Sequence, residues 1–147
     1  INLGMVSANS DLNMRVLDDV GLATPLAARQ PRIEGGRIGH DKHLPGHWKF
    51  ADTAADTEAL LGDIDAQKVR EARAALRTPE IAELLATSRE PMSPRRFAEN
   101  MKFALTKGRT LEIAEDPAVY LDDETLARIE RGEDVGLSGQ RIAWPVQ

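Results

Sequence analysis

Helix start signals recur along this chain and constrain its fold more than any other feature of the sequence. Thr78-Pro79 and Ser93-Pro94 each place a capping hydroxyl before a proline, the residue that suits the first position of a helix. Further capping side chains precede apolar residues at helical spacing, and these are Ser10, Asp52, Asp63 and Asp122. The sequence therefore predicts a mainly α fold, with five or six short helices in a small irregular bundle.

The predicted helices differ in how clearly an apolar face marks them. They cover about residues 11–20, 53–61, 64–77, 79–87, 94–107 and 123–131. The strongest apolar stripe lies on the fifth, where Phe97, Met101 and Leu105 recur at helical spacing, so we expect this helix to form the centre of the core. Alternating residues between 110 and 121 allow at most a minor β-hairpin.

Two segments without sustained periodicity flank the predicted helices. Residues 1–50 form an irregular, extended N-terminal arm with one short helix. Residues 51–147 form a helical domain with an extended C-terminal tail, because Pro145 excludes a helix there. Both segments carry scattered large apolar side chains, which predicts that they pack against something.

All three histidines of the chain fall within one short stretch, together with an aspartate. His40, Asp41, His43 and His47 could bind zinc or nickel, since imidazole and carboxylate are common ligands of both metals. Leu44-Pro45-Gly46-His47 suits a type II turn, which would fold the histidines towards each other. The alternative is a polar surface loop, because no cysteine or distant histidine completes the site.

The same stretch carries one resemblance to known proteins. The run Lys42-His43-Leu44-Pro45-Gly46-His47, with Phe50 after it, resembles a short K-H-[IL]-P-G-H motif of some bacterial polymorphic-toxin nuclease domains. The resemblance covers about a dozen of the 147 residues. In those domains mainly β-structure follows the motif, whereas helices are predicted here, so the motif assigns no family.

Composition narrows the class of protein. A chain of 147 residues with 41% hydrophobic residues suits one globular domain. No apolar run approaches the roughly 18 residues of a membrane span, and the absence of cysteine suits a reducing compartment, so a soluble, cytoplasmic protein is expected. The net charge of −5 argues against a general nucleic-acid binder.

Arg95 and Arg96, at the start of the fifth predicted helix, form either a phosphate clamp or an ordinary solvent-facing first turn.

Two functions follow from these patterns. The first is a non-catalytic accessory or structural subunit that binds other protein chains, in a hetero- or homo-oligomer, through its arm and tail. Its predicted contact residues are Ile38, Leu44, Trp48, Phe50 and Trp144. The second is a small metal-dependent or histidine-based hydrolase or nuclease effector that uses the loop from His40 to His47. The sequence leaves open whether the protein is an enzyme.

Overall fold

The computed structural model describes residues 8–11, 16–53, 63–133 and 135. These residues form six α-helices and two short 3₁₀-helices, Lys107–Arg109 and Pro117–Tyr120. The α-helices are α1 (Pro25–Ala28), α2 (Gly46–Thr53), α3 (Ala66–Ala75), α4 (Pro79–Arg89), α5 (Pro94–Leu105) and α6 (Asp123–Glu130). No residue in the described ranges is in a β-strand, and the prediction of a mainly helical fold is confirmed.

The predicted caps account for several helix starts. Ser93 accepts a hydrogen bond from the backbone N–H of Arg96 at 3.0 Å, and Asp122 accepts one from Thr125 at 2.7 Å. The third helix starts slightly later than expected, because Asp65 rather than Asp63 caps it. Each of these side chains satisfies a backbone donor that has no partner within its own helix.

The described part of the helix predicted over 11–20 is not helical, and the remainder lies outside the described residues. Buried Asp18 accounts for the difference, since its carboxylate accepts the backbone N–H of Val20 at 3.0 Å and of Ala23 at 2.6 Å. Burial opposes ionisation, but these hydrogen bonds prevail and hold the pKa of Asp18 below its usual value. A side chain that binds backbone donors in this way stabilises a turn in place of a helix.

The turn predicted at Leu44-Pro45-Gly46-His47 is instead the start of α2. Pro45 precedes the helix, where its missing N–H costs nothing, and its carbonyl accepts the N–H of Lys49 at 3.1 Å. A Cβ at Gly46 would lie 2.7 Å from Cδ1 of Ile64, so a larger residue at this position would force the Ile64 side chain to move. Asp52 consequently lies within α2 and not before a helix start, and nearly all of the helix predicted over 53–61 lies outside the described residues.

Trp48 lies fully buried in the hydrophobic core, and the arm supplies many of the residues around it. Leu44 and Leu26 are also fully buried, and they pack in one cluster with residues from α3, α4 and α5. The other large members of this cluster are Val69, Ile81, Leu84, Leu85, Phe103 and Ile113. The domain boundary near residue 50 stays a prediction, but the described residues on both sides of it share this core.

The face that α5 buries is not the one predicted. Phe97, Met101 and Leu105 are all exposed, whereas Arg96 and Phe103 point into the protein. The expectation that the apolar stripe of this helix forms the centre of the core is therefore wrong. The core centre is occupied by α2 and α3, and α5 contacts α4 through a polar face.

Candidate functional site

The predicted metal ligands do not converge. Nε2 of His47 lies 2.7 Å from the backbone carbonyl oxygen of Glu115, and Asp41 pairs with Arg32 at 3.3 Å. His40 and His43 are exposed. Among the residues that the structure describes, no three histidine, aspartate or glutamate side chains are close enough to hold a metal ion. The predicted zinc or nickel site is corrected accordingly, because helix α2 replaces the turn that was to bring the histidines together.

The five predicted contact residues occupy very different places. Leu44 and Trp48 are fully buried in the core, and Phe50 packs partly buried against it. Ile38 is 95% exposed, and Trp144 lies outside the described residues. Leu44 and Trp48 are thus committed to the chain's own interior. A contact role for the remaining three stays a prediction.

A groove lies between α4 and α5. Its volume is about 820 Å³, within the range of roughly 300–1,000 Å³ of small-ligand clefts. Polar and charged side chains dominate its lining, above all Glu80, Glu83, Glu90, Ser93, Arg95, Arg96, Glu99, Lys102, Thr106 and Lys107. Such a surface suits a ligand with many hydrogen-bonding groups.

Arg96 holds the two walls of this groove together. Its guanidinium donates to Glu83 of α4, and also to Glu90 at 3.1 Å and to Asn100 at 2.7 Å. Nη1 lies 3.3 Å from a carboxylate oxygen of Glu99 as well. Hydrogen bonding to Glu83, and then to Glu90, raises the pKa of Arg96 above its usual value. The guanidinium of Arg96 is therefore already occupied by carboxylates of this chain and does not form a phosphate clamp.

Arg95 pairs with Glu99 at 2.9 Å on the rim of the groove, whereas three other charged side chains can meet a ligand. Lys102 and Lys107 are exposed and form no ion pair within the described ranges. Glu80 is exposed in the first turn of α4. The groove thus offers both carboxylate acceptors and ammonium donors along one short cleft.

Sequence reasoning missed this groove. The spacing of Arg95, Arg96, Glu99 and Asn100 on one predicted helix signals ion pairs along α5. No sequence signal connects Glu83 to Arg96, because that contact depends on how α4 and α5 pack.

Comparison with known proteins assigns the class. The model of the AftB family C-terminal domain matches residues 1–123, so the chain belongs to this family. A terminal β-(1→2)-arabinofuranosyltransferase of Corynebacterium glutamicum is 53% identical over 147 residues, which is 99% of this chain and 21% of that protein. The enzyme of the same name in Mycobacterium tuberculosis is 40% identical over 102 residues, 68% of this chain and 16% of that protein. No solved structure gives a significant match.

These findings correct the predicted functions. Both relatives are named as glycosyltransferases, so the prediction of a non-catalytic accessory subunit is wrong, and so is the alternative of a metal-dependent hydrolase or nuclease. The first prediction assumed that the apolar residues of the arm could not be buried within the chain. Leu44 and Trp48 show the opposite, since both are fully buried in the chain's own core.

The predicted cytoplasmic location also conflicts with membership of this family. It was based on the absence of cysteine, which only indicates that no disulfide is needed and which is compatible with more than one compartment. Within the described ranges, no helix has the length and apolar character needed to cross a membrane.

Proposed function

We propose that this chain is the C-terminal domain of a terminal β-(1→2)-arabinofuranosyltransferase, and that the groove between α4 and α5 binds the glycan acceptor. The 53% identity over 99% of the chain carries the first part of the proposal. The chain spans about a fifth of the length of the curated relatives it matches, so most of such an enzyme lies outside it. The function of the domain must therefore be argued from its own surface.

The chemistry of the groove suits a carbohydrate. A glycan presents many hydroxyl groups, each of which can donate and accept hydrogen bonds. Glu80 can accept from such hydroxyls, and so can Thr106, whose own hydroxyl donates to the backbone carbonyl of Lys102 at 2.6 Å. Lys102 and Lys107 can donate to the glycan oxygens. Hydrogen bonds to charged side chains are stronger than those between neutral groups. A cleft lined by charged side chains is therefore suited to binding a sugar.

We assign binding, and not the chemical step, to this groove. Transfer to a glycan hydroxyl forms a bond between that oxygen and the anomeric carbon of the donor, breaks the bond to the leaving group and releases the hydroxyl proton. A general base that takes this proton works best with a pKa near the working pH. The hydrogen bond from Arg95 instead lowers the pKa of Glu99 below its usual value, and Arg96 engages Glu83 and Glu90.

Glu80→Ala in the full-length enzyme tests the proposal. We expect the KM for the glycan acceptor to rise about tenfold, because one hydrogen bond to a charged group is lost. The value of kcat should change less than twofold, since such a contact is made equally in the ground state and the transition state. Initial rates measured against acceptor concentration give both quantities.

Glu124→Ala is the matched control. Glu124 lies in the first turn of α6 just as Glu80 lies in the first turn of α4, and both are exposed, so each substitution removes the same favourable interaction with its helix dipole. Only Glu80 lines the groove. We expect Glu124→Ala to leave both constants unchanged. Equal KM values for the two variants would contradict acceptor binding in the groove.

A further inference from the structure

The most amphipathic helix of the described residues presents its apolar side to solvent. Phe97, Met101 and Leu105 are 59%, 46% and 65% exposed. They recur every fourth residue on α5 and therefore lie along one face, which we call the α5 apolar stripe. Met92, just before the helix, is also exposed. A contiguous row of large apolar side chains on a surface marks a binding interface far more often than a single exposed residue does.

Contacts on the other side of α5 prevent the stripe from turning inward. Arg96 and Phe103, seven residues apart and thus on one face, are buried against the rest of the chain. Nδ2 of Asn100 donates to the carbonyl of Thr87 at 3.0 Å, which fixes α5 on the end of α4. Rotating the helix to bury the stripe would break these polar contacts and expose Phe103. Among the residues that the structure describes, none covers the stripe, which leaves it available to a second surface.

The remainder of the enzyme is the surface best placed to cover it. In the two relatives, regions corresponding to this chain make up 21% and 16% of the polypeptide, so about four-fifths of each lies outside the match. A covalently attached partner is present at high effective concentration, which favours docking over encounters with separate molecules. Interfaces between domains of one chain commonly combine apolar and polar contacts.

Charge around the stripe indicates what the opposing surface contains. The segment from Arg89 to Arg109 has six basic and two acidic residues, and its three arginines before residue 97 are already paired with carboxylates of the described residues. Lys102 lies exposed on α5 between the stripe and the groove and has no ion pair within the described part of the chain. An opposing surface with a carboxylate at its border would complement this ammonium group.

We propose that the α5 apolar stripe docks against the part of the same polypeptide that this chain does not contain, on an apolar surface bordered by carboxylates. This inference rests on the proposed function, because it requires that the chain be one domain of the larger enzyme. Residues of the groove, including Arg95, Glu99 and Lys102, lie on the flank of α5 next to the stripe. Docking through the stripe therefore places the groove at the edge of the contact with the rest of the enzyme.

Site-specific photo-crosslinking in the full-length enzyme tests the docking surface. We would place benzoylphenylalanine at Phe97 or, in a second variant, at Leu105. Each should crosslink within the molecule to peptides outside the 147-residue segment, as identified by mass spectrometry after digestion. Val119, on the Pro117–Tyr120 3₁₀-helix, is the matched control, because it is 65% exposed and apolar but lies off the stripe. We expect its yield of the same crosslinks to be at least tenfold lower.

Other crosslinks would overturn the proposal in identifiable ways. Crosslinks to lipid would indicate a membrane surface, and dimers of doubled mass would indicate a second copy of the chain. Yields at both stripe positions no higher than at Val119 would show that nothing covers the stripe. The crosslinking readout does not depend on transfer activity. The docking proposal can therefore be contradicted while acceptor binding in the groove is supported, and acceptor binding can be contradicted while docking is supported.

Discussion

Trp48→Ala should lower the free energy of unfolding of the 147-residue chain by about 3–5 kcal/mol. Trp48 is fully buried, and its Nε1 donates to the carbonyls of Ala114 and Glu115, each at 3.1 Å. Its ring meets that of Tyr120 edge to face, with 6.1 Å between the centroids. Alanine would leave a large cavity and two carbonyls without this donor. Chemical denaturation followed by circular dichroism measures the loss.

Phe97→Ala is the matched aromatic control for this experiment. The ring is largely exposed on α5, so its removal should change the free energy of unfolding by no more than about 0.5 kcal/mol. The sequence pattern alone predicts the reverse order, with Phe97 in the core and Trp48 as an anchor for a partner. A larger loss for Phe97→Ala than for Trp48→Ala would show that the arm does not fill the core.

Asp52→Ala should also be costly, by about 3–5 kcal/mol. The side chain of Asp52 is fully buried at the end of α2, and its carboxylate lies 2.5 Å from the guanidinium of Arg89, which is only 13% exposed. Removing the carboxylate would deprive a largely buried cation of this counter-charge. The same denaturation experiment measures the effect, and a double-mutant cycle with Arg89→Ala isolates the coupling between the two side chains.

Arg95→Ala provides the comparison for an exposed ion pair. Arg95 binds Glu99 at 2.9 Å, but its side chain is 88% exposed, so water and salt can replace the contact. Its loss should cost at most about 0.5 kcal/mol. Similar costs for Arg95→Ala and Asp52→Ala would contradict the buried position of the pair between α2 and α4.

Local sequence signals predicted much of the helical framework. Thr78-Pro79 and Ser93-Pro94 mark the starts of α4 and α5, because proline geometry depends on a few adjacent residues. Of the two hydroxyls only that of Ser93 caps its helix, since Thr78 donates to the carbonyl of Ala75 instead. Ile81, Leu84 and Leu85 recur at helical spacing on α4, and all three are buried. In α4 the apolar periodicity and the buried face coincide, so the sequence pattern was sufficient to identify the face that packs into the core.

The same reasoning failed for α5 because periodicity identifies an apolar face but not what covers it. Arg96 became the buried residue, since carboxylates from α4 and from the segment after it surround its guanidinium. That environment arises only when the helices pack. The apolar stripe is left outside, and its exposure is the observation behind the proposed docking surface.

The prediction of a turn at the histidine stretch was wrong for a different physical reason. Pro45 and Gly46 were expected to exclude a helix, but a proline at a helix start requires no N–H, and Gly46 allows Ile64 to approach closely. The resulting helix directs Trp48 into the core and His47 towards the carbonyl of Glu115. The groove between α4 and α5 could not be anticipated, because its walls come together only through tertiary packing.

Linkage analysis of the product made by the full-length enzyme tests the family-based function most directly. The purified enzyme would be supplied with an activated arabinofuranosyl donor and an oligosaccharide acceptor, and the product examined by nuclear magnetic resonance and methylation analysis. The account predicts one added terminal arabinofuranosyl residue in β-(1→2) linkage. A product of any other linkage, or no transfer by a folded enzyme, would contradict it.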